Sequence, residues 1–454
     1  MSSIATFDKV IKRDGSVVEF DINQIAESIY RAAVEVGGRD RDLAILIANE
    51  VVYLLNRTVG KDQYPSTEEI QDLIEKTLIE RGHARTAKSY ILYRAKMQTH
   101  ALSRVARKAQ VSGTIPYEKI WYNFVWNHTY GVETVQKLND FVRDPPRFHS
   151  LTEACNKAYE EDVRAAADKV LAAGDKVRLV IIAGPSSSGK TTTTIKMEER
   201  LREEGKALKA INVDNYFFDL ELHPKDAYGD YDFETPMAID INLFNYHLKE
   251  LVKGKEVLTP FYDFKAGKRI DEQIPLQLAE NEIILLDCLH GFYPPLTEGV
   301  GPENKFKLYI ETLAQQRDSH GQFVRWTDLR LMRRMIRDMQ FRGYQPEETL
   351  THWHYVRRSE MQYIIPHINA GDIDHIINGA LAYELPIHKF YLGELFPQWV
   401  EKYKGQNDRR DAYIRAERVA QLLDEVESAT QEEIDNLSKT ALMREYIGGS
   451  SYKY

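Results

Sequence analysis

Cysteine is nearly absent: the 454 residues contain two, Cys155 and Cys288, far apart and without a CxxC or CxxH neighbour. That excludes a disulfide framework and a cysteine-based zinc site, and it points to a reducing, cytoplasmic compartment. Long apolar runs are missing too, since none approaches the ~20 residues that span a bilayer and the N-terminus has no apolar leader core. The expectation is a protein without a membrane partner. There is also no excess of positive charge, with 60 Lys and Arg against 69 Asp and Glu and a formal net charge of -9. A nucleic-acid-binding surface is therefore not expected, whereas a local basic pocket for a small anion remains compatible. Apolar residues make up 43% of the chain, enough for cores in two or three domains.

The stretch with the sharpest chemical content is Arg178–Thr194. An apolar run, Leu179–Ala183, leads into Gly184, Pro185, Ser186, Ser187, Ser188, Gly189, Lys190, Thr191 and Thr192, and a helical pattern follows. This is the full phosphate-loop spacing of two glycines with four residues between them, followed by Lys and Thr. Glycines let backbone N–H groups turn inward around an anion, and the helix adds the positive end of its dipole. Lys190 is expected to reach the outer phosphates of ATP, and Thr191 to hold Mg2+. Two further strands end in acids. Asp214 follows Ala207–Val213, placed to take a proton from a substrate hydroxyl, and Asp287 closes Glu282–Asp287, placed to hold magnesium opposite Thr191.

Around these lie two aromatic and acidic stretches, Tyr228–Pro236 and Leu258–Arg269, read as loops lining a small-molecule pocket. A helix over residues 328–343 carries Arg330, Arg333, Arg334 and Arg337 on one stripe. A stripe of one sign needs anionic company, which bound ATP provides.

Upstream, residues 8–20 read as a hairpin turning at Asp14-Gly15. Asp21 then caps a helix with Ile22, Ile25, Ile29 and Ala33 at helical spacing, and further helices are predicted from about Asp40, from Ser66 or Thr67, and over 84–98. Residues 102–176 read as a helical connector. In it, Ile120–Trp126 is expected to pack in a core, Asp144-Pro145-Pro146 to break the chain, and a helix to run from about Thr152 to Gly174.

Residues 8 to about 100 resemble the ATP-cone, a nucleotide-sensing module, through Val10–Ser16, Phe20–Ile25, Thr67–Glu75 and Ala87–Arg94. The resemblance implies a second nucleotide, ATP or dATP, held by Lys12, Arg13, Arg94 and Lys96. It departs at Gln24, where a basic residue is usual.

Residues 178 to about 385 resemble the uridine kinase and phosphoribulokinase group of phosphate-loop kinases. The match runs through Gly184–Thr192, Asp214–Phe217, Asp232–Pro236, Pro260–Phe264 with Arg269, Asp287, Phe292-Tyr293, Arg333–Asp338, Arg342-Gly343 and Asp372–Asn378. It implies an α/β phosphate-loop kinase fold, a parallel sheet flanked by helices, behind the small, mostly helical ATP-cone and the connector. The expected division is 1–101, 102–176, 177–384 and a helical extension over 385–454, whose end Arg444–Ser450 is similar to longer bacterial kinases of this kind. Carried over residue by residue, Asp214 is the base and Lys190, Arg334 and Arg337 serve transfer. Glu234, Tyr262, Arg269 and Arg342 hold the acceptor, and Thr191 and Asp287 hold the metal. Gly267 stands where uridine kinases carry a histidine, and Tyr344 where they carry an arginine, so the base of uridine loses partners.

The expected activity is ATP-dependent phosphorylation of a hydroxyl on a nucleoside-like molecule, by a homo-oligomer. The nearest alternative is a sugar, sugar phosphate or polyol as acceptor. A nucleotide-gated switch without kinase activity is a third reading, against which Asp214 and Glu234 argue.

Overall fold

The computed structural model describes residues 6–12, 17–59, 63–83, 85–91, 116–224, 231, 235–264, 266–368 and 370–453. The chain separates by packing into two units, residues 1–111 with 400–414 and residues 112–399 with 415–454.

In the first unit a two-stranded antiparallel hairpin, β1 (Lys9–Ile11) and β2 (Val17–Glu19), precedes three helices, α1 (Ile22–Glu35), α2 (Arg41–Thr58) and α3 (Thr67–Glu80). Residues 85–91 are helical as well. The caps agree with the sequence signals. Asp21 accepts from the Asn23 N–H, and Ser66 and Glu69 form a reciprocal capping box, so the first amides of α1 and α3 are satisfied locally. Ile25, Ile29, Val51, Val52, Leu55, Ile74 and Leu78 fill the core. In the same unit Arg410 holds Glu69 with two hydrogen bonds, at 2.9 and 3.1 Å.

The second unit begins with α4 (Tyr117–Tyr130), α5 (Val135–Val142) and α6 (Pro145–Ala173). Here the prolines start a helix instead of breaking the chain. Pro145 and Pro146 occupy the first turn of α6, where a missing N–H costs nothing, and Asp144 accepts from the Arg147 N–H as the cap. The aromatic run of α4 also departs from expectation: Trp121 is 65% and Tyr122 55% exposed, while the buried face of that helix presents Asn123 and Asn127.

The five-stranded sheet is wholly parallel, in the order β4 (Ala207–Ala210), β7 (Glu282–Cys288), β3 (Leu179–Ala183), β8 (Lys305–Glu311), β9 (His375–Asn378). Strand β3 is buried along its whole length, as its unbroken apolar run requires of a strand covered on both faces. Because β3 connects to β4 on one side while β8 and β9 lie on the other, the carboxyl end of β3 borders a topological switch point, where such sheets bind ligands. Helix α7 (Lys190–Glu203) leaves from there, and α8 (Ile241–Val252) packs with the strand Val257–Asp263. Strands β5 (Val257–Asp263) and β6 (Lys268–Leu276) form an antiparallel hairpin over the stretch expected to be a loop. The register shifts between Thr259 and Phe261, so Pro260, which has no N–H, sits at the irregularity and escapes the ladder. Helices α9 (Trp326–Arg337), α10 (Pro346–Ser359), α11 (Glu384–Leu392), α12 (Gln431–Asp435) and α13 (Arg444–Ile447) complete the elements used below. Both cysteines are free thiols, and burial pushes Cys155 up to about 12. Among the described residues no helix is long and apolar enough to cross a membrane.

Candidate active site

The loop between β3 and α7 is held from outside by its carbonyl oxygens. Arg330 donates to the Ser186 oxygen at 3.1 Å, Arg333 to those of Ser187 and Ser188 at 3.4 and 3.5 Å, and the Tyr446 hydroxyl to that of Ser187 at 3.1 Å. Ser187 has φ +59°, unusual for a non-glycine residue, which those contacts maintain. With its carbonyls bound on the outside the loop can turn amides inward around an anion. Some N–H groups here already have acceptors in the chain: that of Ser188 meets the Pro185 oxygen at 3.3 Å and that of Thr192 the Glu445 carboxylate at 3.1 Å. The Ser187 and Ser188 hydroxyls are buried without a hydrogen-bond partner, a cost that a polar ligand at the loop can relieve. Gly184 is required by close approach, since a Cβ there would stand 2.3 Å from the Ile310 oxygen.

The arginine stripe of α9 therefore has two layers. Arg330 and Arg333 are fully buried and paired inside the protein. Arg330 meets Glu360 and Glu311, and Arg333 meets Glu384 at 2.7 Å and the Gly379 oxygen at 2.6 Å. The anionic company expected from ATP is supplied to these two by glutamates, whose charge holds both guanidinium groups above their usual range against the opposing effect of burial. Arg334 and Arg337 lie nearer the loop's interior. Arg334 donates to Ser186 Oγ at 3.0 Å and pairs with Asp338, and Arg337 stands 3.8 Å from Glu445 with its Nε buried and unpartnered. Arg342 pairs with Asp338 at 3.2 Å.

Inside the site Lys190 folds back on its own loop, its Nζ 3.0 Å from the Gly184 oxygen and 3.2 Å from that of Pro185. Burial lowers its pKa and Asp287 and Glu445 raise it, so the ammonium is held among carboxylates. Asp287 sits beside Ile182 in register, close to the carboxyl ends of β3 and β7, and accepts from Thr194 Oγ at 3.4 Å. Burial raises its pKa, and Glu445 and Asp214 push the same way while Lys190 opposes them. Strand β4 stops at Ala210, so Asp214 stands on a 3-10 turn, Val213–Tyr216, whose first N–H groups are capped by Asn212. Asp214 is exposed at the surface, yet the protein packed around it desolvates its carboxyl enough to raise it.

Among the residues expected from the sequence to hold the acceptor, Tyr262 is buried with its hydroxyl unpartnered, within an aromatic group of Phe217 at 5.6 Å, Phe264 at 5.0 Å and His223 at 6.2 Å between ring centres. Arg269 is held by Asp240 at 3.0 Å and Asp271 at 2.8 Å and lies over the Phe218 ring, so its charge is already matched by the protein. Gly267 has φ +64° in the turn of the β5–β6 hairpin, and a Cβ there would stand 3.0 Å from Leu220. A histidine at this position would be strained and crowded. Tyr344 is exposed. Glu234 lies outside the described residues, as do Arg13, Arg94 and Lys96. Lys12 is exposed at the end of β1.

Sequence reasoning missed Glu445 and Tyr446, which reach the loop from the far end of the chain. Thr192, 253 residues earlier, gives Glu445 both its N–H, at 3.1 Å, and its hydroxyl, at 2.7 Å. No local periodicity announces such a pairing. The acid within the Arg444–Ser450 run was the only available signal.

A strand, a phosphate loop, a helix and acids beside two neighbouring strand ends define a phosphate-loop phosphotransferase. Comparison with known proteins gives the family. Residues 8–98 match the ATP cone domain and residues 179–378 the phosphoribulokinase/uridine kinase family. The chain is 31% identical over 198 residues to a uridine kinase of Brevibacillus brevis, covering 43% of this chain and 82% of that one. It is 30% identical over 200 residues to a uridine kinase of Bacillus cereus, 44% of this chain and 85% of that one. With uridine-cytidine kinase B of Dictyostelium discoideum it shares 28% over 196 residues, 43% and 72% of the two chains. The chain belongs to the phosphoribulokinase/uridine kinase family, carries an N-terminal ATP cone domain, and is a phosphotransferase acting on a hydroxyl group with ATP as the phosphate donor.

Proposed function

We propose that this protein transfers the γ-phosphoryl group of ATP to a hydroxyl of a nucleoside-like small molecule, with Asp214 as general base. The observation that carries the reading is the phosphate loop between β3 and α7, with Lys190 Nζ 3.0 Å from the Gly184 oxygen and Asp287 beside Ile182 at the neighbouring strand end, where Lys190 and Asp287 act on each other's charge. The acceptor oxygen attacks the γ-phosphorus as its proton passes to Asp214, and the bond to the β-phosphate oxygen breaks, leaving ADP. In this reading Lys190, Arg334 and Arg337 compensate the charge on the transferring group.

The donor set also fits magnesium. Asp287 is a half-buried carboxylate at the strand end that accepts from Thr194 Oγ at 3.4 Å, an oxygen donor of the kind magnesium takes. Thr191 and Asp287 would hold the ion, which would offset the negative charge of the phosphates.

A sugar, sugar phosphate or other polyol is the second acceptor class, favoured by Gly267, whose left-handed turn offers no side chain to a pyrimidine edge. Uridine is accordingly expected to be a poor substrate. The test is ADP release from the intact protein across nucleosides, sugars and sugar phosphates. Release that depends on one hydroxyl-bearing acceptor supports the reading, and efficient selection of uridine over polyols overturns the part that rests on Gly267. For the ATP cone we propose a second ATP or dATP at Lys12, Arg13, Arg94 and Lys96 that alters assembly of a cytoplasmic homo-oligomer or its activity. Identical sedimentation and rate curves for the wild type and a Lys12→Ala, Arg13→Ala variant over a range of ATP and dATP would contradict it.

A further inference from the structure

The first four amides of a helix have no partner within it, and in a phosphate-loop helix they are what the protein offers to phosphate oxygens. In α7 the Thr193 N–H turns back to the Gly189 oxygen at 3.1 Å. The Thr192 N–H instead meets an anion belonging to the chain itself. Glu445, 3% exposed in α13, accepts from that N–H at 3.1 Å and from Thr192 Oγ at 2.7 Å through one carboxylate oxygen, while its other oxygen stands 3.8 Å from Arg337. Its charge is also felt at Lys190 and Asp287. A helix-end amide, a hydroxyl, an arginine and a nearby lysine are the partners that a nucleotide phosphate requires.

The segment bearing Glu445 is seated by contacts that do not involve the carboxylate. Leu442 packs on the loop at Gly189, where an added Cβ would meet its Cδ1 at 2.7 Å, and the Tyr446 hydroxyl donates to the Ser187 oxygen at 3.1 Å. The Tyr446 ring lies under the Arg333 guanidinium, 5.1 Å from its centre. The acid is thus delivered to the phosphate site by a docked strap.

We infer that Glu445 is an internal stand-in for a nucleotide phosphate, which occupies the Thr192 end of the site and must withdraw before ATP or ADP can use it. One N–H cannot serve two anions, and a buried carboxylate beside an entering phosphate is repelled with little water to screen it. Nucleotide binding and docking of residues 442–447 are therefore mutually exclusive at this point, and nucleotide affinity is set in part by how often the strap is undocked. The inference rests on the reading that nucleotide binds at the phosphate loop.

The experiment measures ADP binding by calorimetry for the intact wild type, Glu445→Gln and Lys190→Ala. Glutamine keeps the size and an acceptor oxygen but removes the charge. A strap docked in roughly 90% of molecules weakens apparent affinity about tenfold, so Glu445→Gln should bind ADP up to about tenfold more tightly than wild type. A second measurement needs no variant: saturating ADP should speed hydrogen exchange of the wild-type segment 438–448, and it decides the matter if Glu445→Gln fails to fold. Lys190-dependent ADP binding that is unchanged or weakened in Glu445→Gln, or exchange in 438–448 that slows with ADP, overturns the inference and makes Glu445 a brace of the loop. ADP binding indifferent to Lys190→Ala would instead overturn the phosphate-loop reading beneath it.

Discussion

The two sides of the cleft are built differently. On the phosphate side each loop carbonyl from Ser186 to Ser188 has a donor, the arginines that supply most of those donors are buried against glutamates, and the strand beneath is wholly enclosed. On the acceptor side Leu222, Phe261 and Phe264 are exposed, Tyr262 keeps a buried hydroxyl without a partner, and the β6 strand is open to solvent along most of its length. Transfer chemistry tolerates little displacement, so its half of the site is over-determined. In the half proposed to select the acceptor, Arg269 is already matched by Asp240 and Asp271, and Gly267 and Tyr344 stand where the sequence resemblance leads to an expectation of histidine and arginine.

The contrast can be broken at several points. The largest effect is expected from Lys190→Ala, which should lower turnover by about 10³–10⁵-fold, the scale of removing a cation that follows charge onto the transferring group. Steady-state ADP release measures it, and near-normal turnover would take the loop out of the chemistry. Asp214→Asn should cost about 10²–10⁴-fold in kcat with ATP affinity retained. Loss of affinity with an unchanged rate per bound complex would make Asp214 structural.

On stability, Arg333→Ala leaves Glu384 buried and unpaired and should lower unfolding free energy by about 3–5 kcal/mol, read from denaturant titration. A loss comparable to that of an ordinary surface substitution would show that the loop does not depend on its backing. Desolvation raises the Asp214 carboxyl, and the proposed base acts deprotonated, so activity should fall as pH drops through that raised pKa. The acid limb of kcat/KM should therefore lie above the ordinary carboxylate range and vanish in Asp214→Asn. A limb unchanged in the variant assigns it to another group. The smallest effect is on the acceptor side. Gly267→Ala should cost about 1–2 kcal/mol, the penalty for a side chain at positive φ, with kcat on the best acceptor little changed. A large fall in kcat would mean that the hairpin turn is as tightly coupled to transfer as the loop.

Legibility in the sequence divides along the same line. The phosphate loop, β3, Asp287 at a strand end and the caps Asp21 and Ser66 are local patterns, in which a few neighbouring residues specify both geometry and chemistry. The β5–β6 hairpin was not legible, because Pro260 interrupts the alternation at the bulge and Asp263–Gly267 reads as loop composition. Pro145 and Pro146 misled in the opposite sense, since a proline can end one helix or occupy the first turn of the next, and only the helical run after Pro146 decides between them. The division of the arginine stripe into a buried layer and a site-facing layer depended on Glu360 and Glu384, which lie 30 and 51 residues from their partners. Spacing along α9 cannot distinguish two layers whose difference lies in what each side chain meets across the fold.

The most direct test of phosphoryl transfer at this site traces the label of γ-labelled ATP in the wild type and in Asp214→Asn, with the best acceptor from the screen. The account predicts label in an organic phosphate ester of that acceptor for the wild type, and its near loss in the variant at unchanged ATP affinity. Label found in inorganic phosphate alone, or ester formed equally by both proteins, would contradict it.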